Sequence, residues 1–181
     1  MIYFITGGAK NGKSTLAQDL AVAMARGGKH YYIATMIPAD QEDYDRIARH
    51  IADREGLGFD TVECGRDILS LLPKVDRDAT FLLDSATALL LNELFPDPVS
   101  CEMDVKAAQQ CAQDLTVFAR SVKNIVLVSD YIYSDAERYD AVTETYRKCL
   151  ADIDRNLAQV SDTVLEVSGG NVFVHKGDLL V

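Results

Sequence analysis

Apolar positions in this chain fall into short unbroken runs, separated by longer stretches with helical spacing. "MIYFIT" at 1–6 is such a run, as are "HYYIAT" at 30–35, "ATFLLDSAT" at 79–87 and "NIVLVSD" at 124–130. Runs of this kind suit strands buried on both faces. Between them, 13–26 puts Leu16, Leu20, Ala23 and Met24 on one helical face, and Gly27 and Gly28 close that helix. Residues 39–55 predict a very polar helix, 60–64 a short strand and 66–72 a short helix. A helix over 88–95 ends at the Pro96 and Pro98 region; further helices are predicted over 102–122 and 136–160. "DTVLEVSGG" and "NVFVHK" predict two closing strands joined at Gly169 and Gly170. The alternation predicts one α/β domain over 1–181, a mostly parallel sheet flanked by helices with a C-terminal antiparallel hairpin.

Composition narrows the picture. The chain has 181 residues, 48% of them hydrophobic, enough for one domain with a real core. Its formal net charge of −10 argues against nucleic acid and anionic membrane as partners, so an anionic ligand needs a local cationic site. No apolar run approaches the roughly 20 residues that span a bilayer, and no charged leader precedes the first strand. The expectation is a cytoplasmic protein. Cys64, Cys101, Cys111 and Cys149 are scattered without a C-x-x-C pair, which predicts reduced, buried or half-buried thiols and argues against zinc.

"ITGGAKNGKST" at 5–15 carries the chemistry. Gly7, Gly8, Ala9, Lys10, Asn11, Gly12, Lys13 and Ser14 satisfy G-x-x-x-x-G-K-[ST] between a predicted strand and a predicted helix. Glycines let main-chain N–H groups face phosphates, and the helix start adds its positive end. Lys13 is expected to reach the β and γ phosphates, and Ser14 to ligate Mg²⁺. The metal also needs an acid on a neighbouring strand, and Asp84 at the end of "TFLLD" is the candidate; the competing role for it is a helix N-cap. In "YDRIARHIADRE", Arg46, His50 and Arg54 share a helical face beside Arg49, with Tyr44, Ile47, Ala48 and Ile51 as the expected buried side. Arginines there could hold phosphates while a neutral imidazole attacks phosphorus. A solvated helix laced with ion pairs to Asp43, Asp45, Asp53 and Glu55 would give the same pattern. His30 and His175 read as surface residues, and "VSGGN" as a hairpin turn. No N-K-x-D motif follows "IVLVSD", which argues against a switch GTPase.

With these pieces the chain resembles the bifunctional adenosylcobinamide kinase / adenosylcobinamide-phosphate guanylyltransferase family of cobalamin biosynthesis. The resemblance runs through "ITGGAKNGKST", "YYIAT", "RIARHIADR", "TVEC", "FLLDSAT", "NELF", "IVLVSD" and "NLAQVSDTVLEVSGG". It implies a RecA-like P-loop domain, a homo-oligomer, Mg²⁺, and ATP or GTP as phosphoryl donor. It further implies two reactions: phosphorylation of adenosylcobinamide, then GMP transfer from GTP through a guanylyl adduct on His50. Lys13 and Asp84 would assist catalysis. Nucleotide-contacting positions correspond to the P-loop, Thr35, Ile51, Ala52, Asp53, Arg54, Glu63 and Asp84. The chain departs from the family pattern after its "VLVS" strand, where Asp130, Tyr131, Ile132, Tyr133 and Ser134 replace an Asn-Glu-Val-Gly-type loop. Asp154 stands where Asn is usual, and Glu55 where Pro is. The alternatives are a P-loop kinase of another small metabolite and a catalytically impaired nucleotide-binding paralogue.

Overall fold

The computed structural model describes residues 1–97, 102–133 and 137–180. Pro98, Cys101 and Ser134 lie outside the described residues. In chain order the elements are β1 (Ile2–Gly7), α1 (Lys13–Ala25), β2 (His30–Ala34), α2 (Gln41–Asp53), β3 (Asp60–Glu63), a 3-10 helix (Ile68–Leu71), β4 (Thr80–Asp84) and α3 (Ala86–Leu94). Then come α4 (Val105–Ser121), β5 (Asn124–Asp130), α5 (Ala141–Val160), β6 (Thr163–Ser168) and β7 (Asn171–Lys176). The strands form one seven-stranded sheet in the order β3-β2-β4-β5-β1-β6-β7. Neighbours are parallel except β6 and β7, the antiparallel hairpin expected at the C-terminus.

Both sheet faces are covered, which is why the central strands are apolar without alternation. On one face Phe4, Ile33, Phe81, Leu83 and Leu127 pack with Leu89 and Leu94 of α3, Leu115 and Phe118 of α4, and Ile153 and Leu157 of α5. On the other, Tyr3, Ile5, Leu82, Val126 and Leu165 meet Ala17, Leu20, Ala21 and Met24 of α1. The buried stripe of α1 is thus turned from the expected one: Ala23 is exposed, and the small Ala17 and Ala21 lie against the sheet.

Helix starts correct several expected boundaries. Ser85 caps α3 by accepting from the Ala88 N–H at 3.2 Å, so β4 stops at Asp84 and Asp84 is not the cap. Asp104 and Asp140 cap α4 and α5, placing their starts after 102 and 136. Asp40 caps α2 through the Asp43 N–H at 3.0 Å. The larger correction concerns α2. No residue of it is buried, and Tyr44 and Ile51, expected on its packed side, are 57% and 52% exposed. The apolar stripe exists in the sequence, but among the described residues neither sheet face receives it.

Candidate functional site

Parallel strands deliver β1, β2, β3, β4 and β5 to one edge of the sheet, where β1 runs into the P-loop and α1. Two glycines make this turn possible. A Cβ on Gly7 would collide with the Val167 carbonyl, and Gly12 holds φ +94 at the N-cap of α1. That N-terminus carries no side-chain cap and no acid in its first turn, so its N–H groups and helix dipole are offered to an anion. Asn11 ties the loop to β6 by donating to the Val167 carbonyl.

Lys13 is 5% exposed. Its Nζ donates to the Gly8 carbonyl at 2.6 Å and pairs with Asp130 Oδ1 at 2.6 Å. Asp130 ends β5, in register with Gly7 on the adjacent strand, and its main-chain N–H donates to the Thr87 hydroxyl at 2.8 Å. This corrects the expectation that Asp84 is the acid on the strand beside the P-loop. β5 lies between β4 and β1, and the neighbouring acid is Asp130. Asp84 ends β4 and accepts from the Tyr32 hydroxyl at 3.1 Å; burial and the Asp84 charge push the Tyr32 phenol up.

Ser14 is half-buried in the first turn of α1. Its hydroxyl and the Asp84 carboxylate are hard oxygen donors suited to Mg²⁺. Among the described residues no group of three or more His, Cys, Asp or Glu is placed to hold a metal. The donor set therefore fits an Mg²⁺ that depends on triphosphate oxygens and water for its remaining ligands. Thr35 is fully buried, donating to the Ser85 carbonyl at 2.9 Å and accepting from the Ser85 N–H at 2.8 Å. It braces β2 against β4 and presents no surface to a nucleotide, which corrects its expected contact role. Glu63, Ile51, Ala52 and Asp53 are exposed at the same end of the sheet or on α2.

His50 is half-exposed, and its Nδ1 is buried without a hydrogen-bond partner among the described residues. Arg54 lies over the Tyr32 ring at 4.1 Å, and it donates to the His50 carbonyl at 2.8 Å and the Thr61 hydroxyl at 3.3 Å. Arg49 donates to the Asp45 carbonyl at 3.3 Å. Among the described residues Arg46, Arg49 and Arg54 form no ion pair with a carboxylate, so α2 is not the ion-pair-laced helix that its composition also allowed. Arg54, Tyr32 and Asp84 instead form a chain from the end of α2 to the end of β4.

Beside the P-loop lies a cleft of about 190 Å³. Asp43 and Arg46 of α2 line it together with Ser85, Thr87, Asp130 and Tyr146. Burial, with the charges of Asp130 and Asp154, pushes the Tyr146 phenol up to about 12, so it stays protonated and can donate. The segment after β5 is also anchored: Tyr131 donates to Glu166 at 3.1 Å, and Tyr133 to Asp154 Oδ2 at 2.8 Å. Sequence reasoning gave Tyr32 no role, and it noted Asp130 and Asp154 only as departures from the family pattern. For Asp130 the signal was present, an acid ending an apolar strand like Asp84. Cys64, Cys111 and Cys149 are free, with Cys111 pushed up to about 12 by burial, in line with inert thiols. His30, read as a surface residue, is half-exposed at the start of β2, and both its ring nitrogens face carbonyls, of Gly28 at 2.9 Å and Leu57 at 2.8 Å. No helix among the described residues is long and apolar enough to cross a membrane.

A glycine-rich loop between β1 and α1, a buried lysine at its end, and acids at the ends of β4 and β5 define a P-loop nucleotide-binding protein of RecA-like architecture. Solved structures agree at the level of fold. A Pyrococcus horikoshii protein studied as project PH0250 superposes with TM-score 0.52 at 9% identity, over 97% of this chain and 86% of that one. An ATPase from the type III secretion system of pathogenic bacteria gives TM-score 0.52 at 12% identity, over 93% of this chain and 51% of that one, so this chain spans about half of it. Among curated proteins no sequence matches. The profile of the cobinamide kinase / cobinamide phosphate guanyltransferase family matches residues 3–174, and the chain belongs to that family. Membership makes it a nucleotide-dependent enzyme of cobalamin biosynthesis.

Proposed function

We propose that the protein phosphorylates adenosylcobinamide and then transfers GMP from GTP to the resulting phosphate through a guanylyl adduct on His50. The observation that carries this reading is family membership over residues 3–174, joined to a P-loop whose lysine is held at the mouth of α1. For the first reaction, α1 and the loop N–H groups hold the triphosphate, and Lys13 offsets charge that develops on the transferred group. Mg²⁺ held by Ser14 and Asp84 would supply charge neutralisation on the phosphate oxygens when bound. For the second reaction, Arg46 offers a cation with no carboxylate partner among the described residues, on the face of α2 that carries His50. Because Nδ1 of His50 is buried, attack on the α-phosphorus of GTP falls to Nε2, with the proton on Nδ1. The active species is a homo-oligomer that takes ATP or GTP in the first step.

The test uses GTP labelled on the α-phosphate. Wild type is expected to acquire a protein-bound label that is labile to acid and stable to base, and His50→Ala to acquire none. Equal labelling of both proteins refutes the histidine intermediate. Formation of adenosylcobinamide phosphate by wild type tests the kinase half separately.

A further inference from the structure

A net charge of −10 leaves an anionic ligand dependent on a local cation, and in the empty P-loop that cation is already taken. Lys13 is buried, and its ammonium has only hydrogen-bond donors to offer. Three internal acceptors surround it: the Gly8 carbonyl at 2.6 Å, Asp130 Oδ1 at 2.6 Å and Asn11 Oδ1 at 3.4 Å. Of these only Asp130 carries a charge. The backbone at Asp130 is pinned against the loop. Its own N–H donates to the Thr87 hydroxyl at 2.8 Å, and the Tyr131 N–H donates to the Gly7 carbonyl at 3.2 Å. Tyr131 is fixed in turn by its hydroxyl on Glu166 at 3.1 Å. The carboxylate is therefore presented to Lys13 by α3, β1 and β6 together. The family pattern has Asn at this position, which would give the lysine an acceptor without a charge.

We propose that Asp130 is an internal competitor of the phosphates: it holds the P-loop ammonium in the empty protein, and a nucleoside triphosphate binds only by displacing its carboxylate from Lys13. The inference rests on the P-loop class alone and not on the acceptor or on His50. In the empty protein the low-dielectric surroundings of Lys13 strengthen its attraction to Asp130. When a triphosphate binds, phosphate oxygens take over as the counter-charge of the ammonium. The half-exposed Asp130 carboxylate is then left to the water of the cleft that it lines. The contact lowers affinity for every ligand that needs Lys13. A free lysine present in about a tenth of empty molecules weakens apparent binding about tenfold, and removing the competitor restores that factor.

The experiment uses the full chain without any acceptor and compares wild type, D130N, K13A and the double variant K13A/D130N. Calorimetric titration with ATP and with GTP, each with Mg²⁺, gives affinity, and thermal unfolding of the empty proteins gives stability. D130N is expected to bind triphosphate about tenfold more tightly than wild type. Empty D130N is expected to unfold at a lower temperature than wild type, because a buried ammonium has lost its counter-charge. Saturating triphosphate is expected to close that gap. In the K13A background D130N is expected to produce neither effect; where K13A binds too weakly to titrate, the unfolding comparison decides. Equal or weaker triphosphate binding by D130N overturns the proposal. A tightening that persists without Lys13 also overturns it, since that marks plain charge repulsion. So does an equal loss of stability with and without Lys13, which would place the effect of Asp130 elsewhere in the fold. Binding of neither ATP nor GTP by D130N overturns it as well. A failed His50 labelling test leaves all these results standing, so the two readings fail separately.

Discussion

Replacing Asp154 by Asn should change how stability depends on pH. Asp154 is 4% exposed on the inner side of α5, and its Oδ2 accepts from Tyr133 at 2.8 Å. Its other oxygen, Oδ1, is buried without a hydrogen-bond partner among the described residues. Burial pushes the carboxyl up from 3.8 to about 6, the Ser129 and Tyr133 hydroxyls oppose it, and the Asp130 charge adds to the upward push. The folded protein thus keeps this proton to higher pH than the unfolded chain does. The resulting stabilisation is fully present below the unfolded value of 3.8 and is lost as pH rises through about 6. A shift of about 2 units corresponds to about 3 kcal/mol. Asn does not titrate, so the stability of D154N minus that of wild type should grow by about 3 kcal/mol between about pH 4 and about pH 7. For a chain of this size that is about 6–12 °C in Tm. Urea unfolding of both proteins across this range measures the difference directly, and a fixed offset from Asn packing does not affect its slope. Parallel stability curves for the two proteins would refute the reasoning, because Asp154 would then titrate alike in folded and unfolded chains.

Other substitutions test the site more locally. Gly12→Ala meets no atom within 4 Å of the new Cβ, so its cost is conformational, about 1–2 kcal/mol at φ +94, read by denaturant unfolding; triphosphate affinity should fall with it. Tyr32→Phe keeps the ring under Arg54 and removes the hydroxyl on Asp84, with an expected loss of about 0.5–1.5 kcal/mol by the same assay. Lys13→Ala should lower phosphoryl transfer by about 100-fold to 1,000-fold, measured as kcat at saturating triphosphate, while the fold persists by circular dichroism.

The layered α/β plan was legible because buried strands and surface helices leave different periods in the chain. The P-loop was legible for a related reason: its glycines are dictated by local backbone geometry, such as Gly7 against Val167 and Gly12 at positive φ. Strand order was not legible, since pairing joins residues far apart in sequence. That gap hid Asp130, which matters through its register with Gly7 on the neighbouring strand. It also made Asp84 look adjacent to the P-loop when β5 intervenes. On α2 the amphipathic pattern was read correctly as a helix and wrongly as a packed one, because periodicity reports that a face is apolar and not what meets it. Thr35 failed for a third reason. A hydroxyl at a strand end serves a ligand or a neighbouring backbone equally well, and here Ser85 claims it from both sides.

The helix that carries His50 owes little to the protein interior: from Gln41 to Asp53 no residue is buried as a whole, and its anchors are the Asp40 cap at one end and Arg54 on Tyr32 at the other. Substitutions along its body can therefore be made almost free of folding penalties. An alanine series between those two anchors therefore reads the reaction and the contacts between subunits more than the stability of the fold.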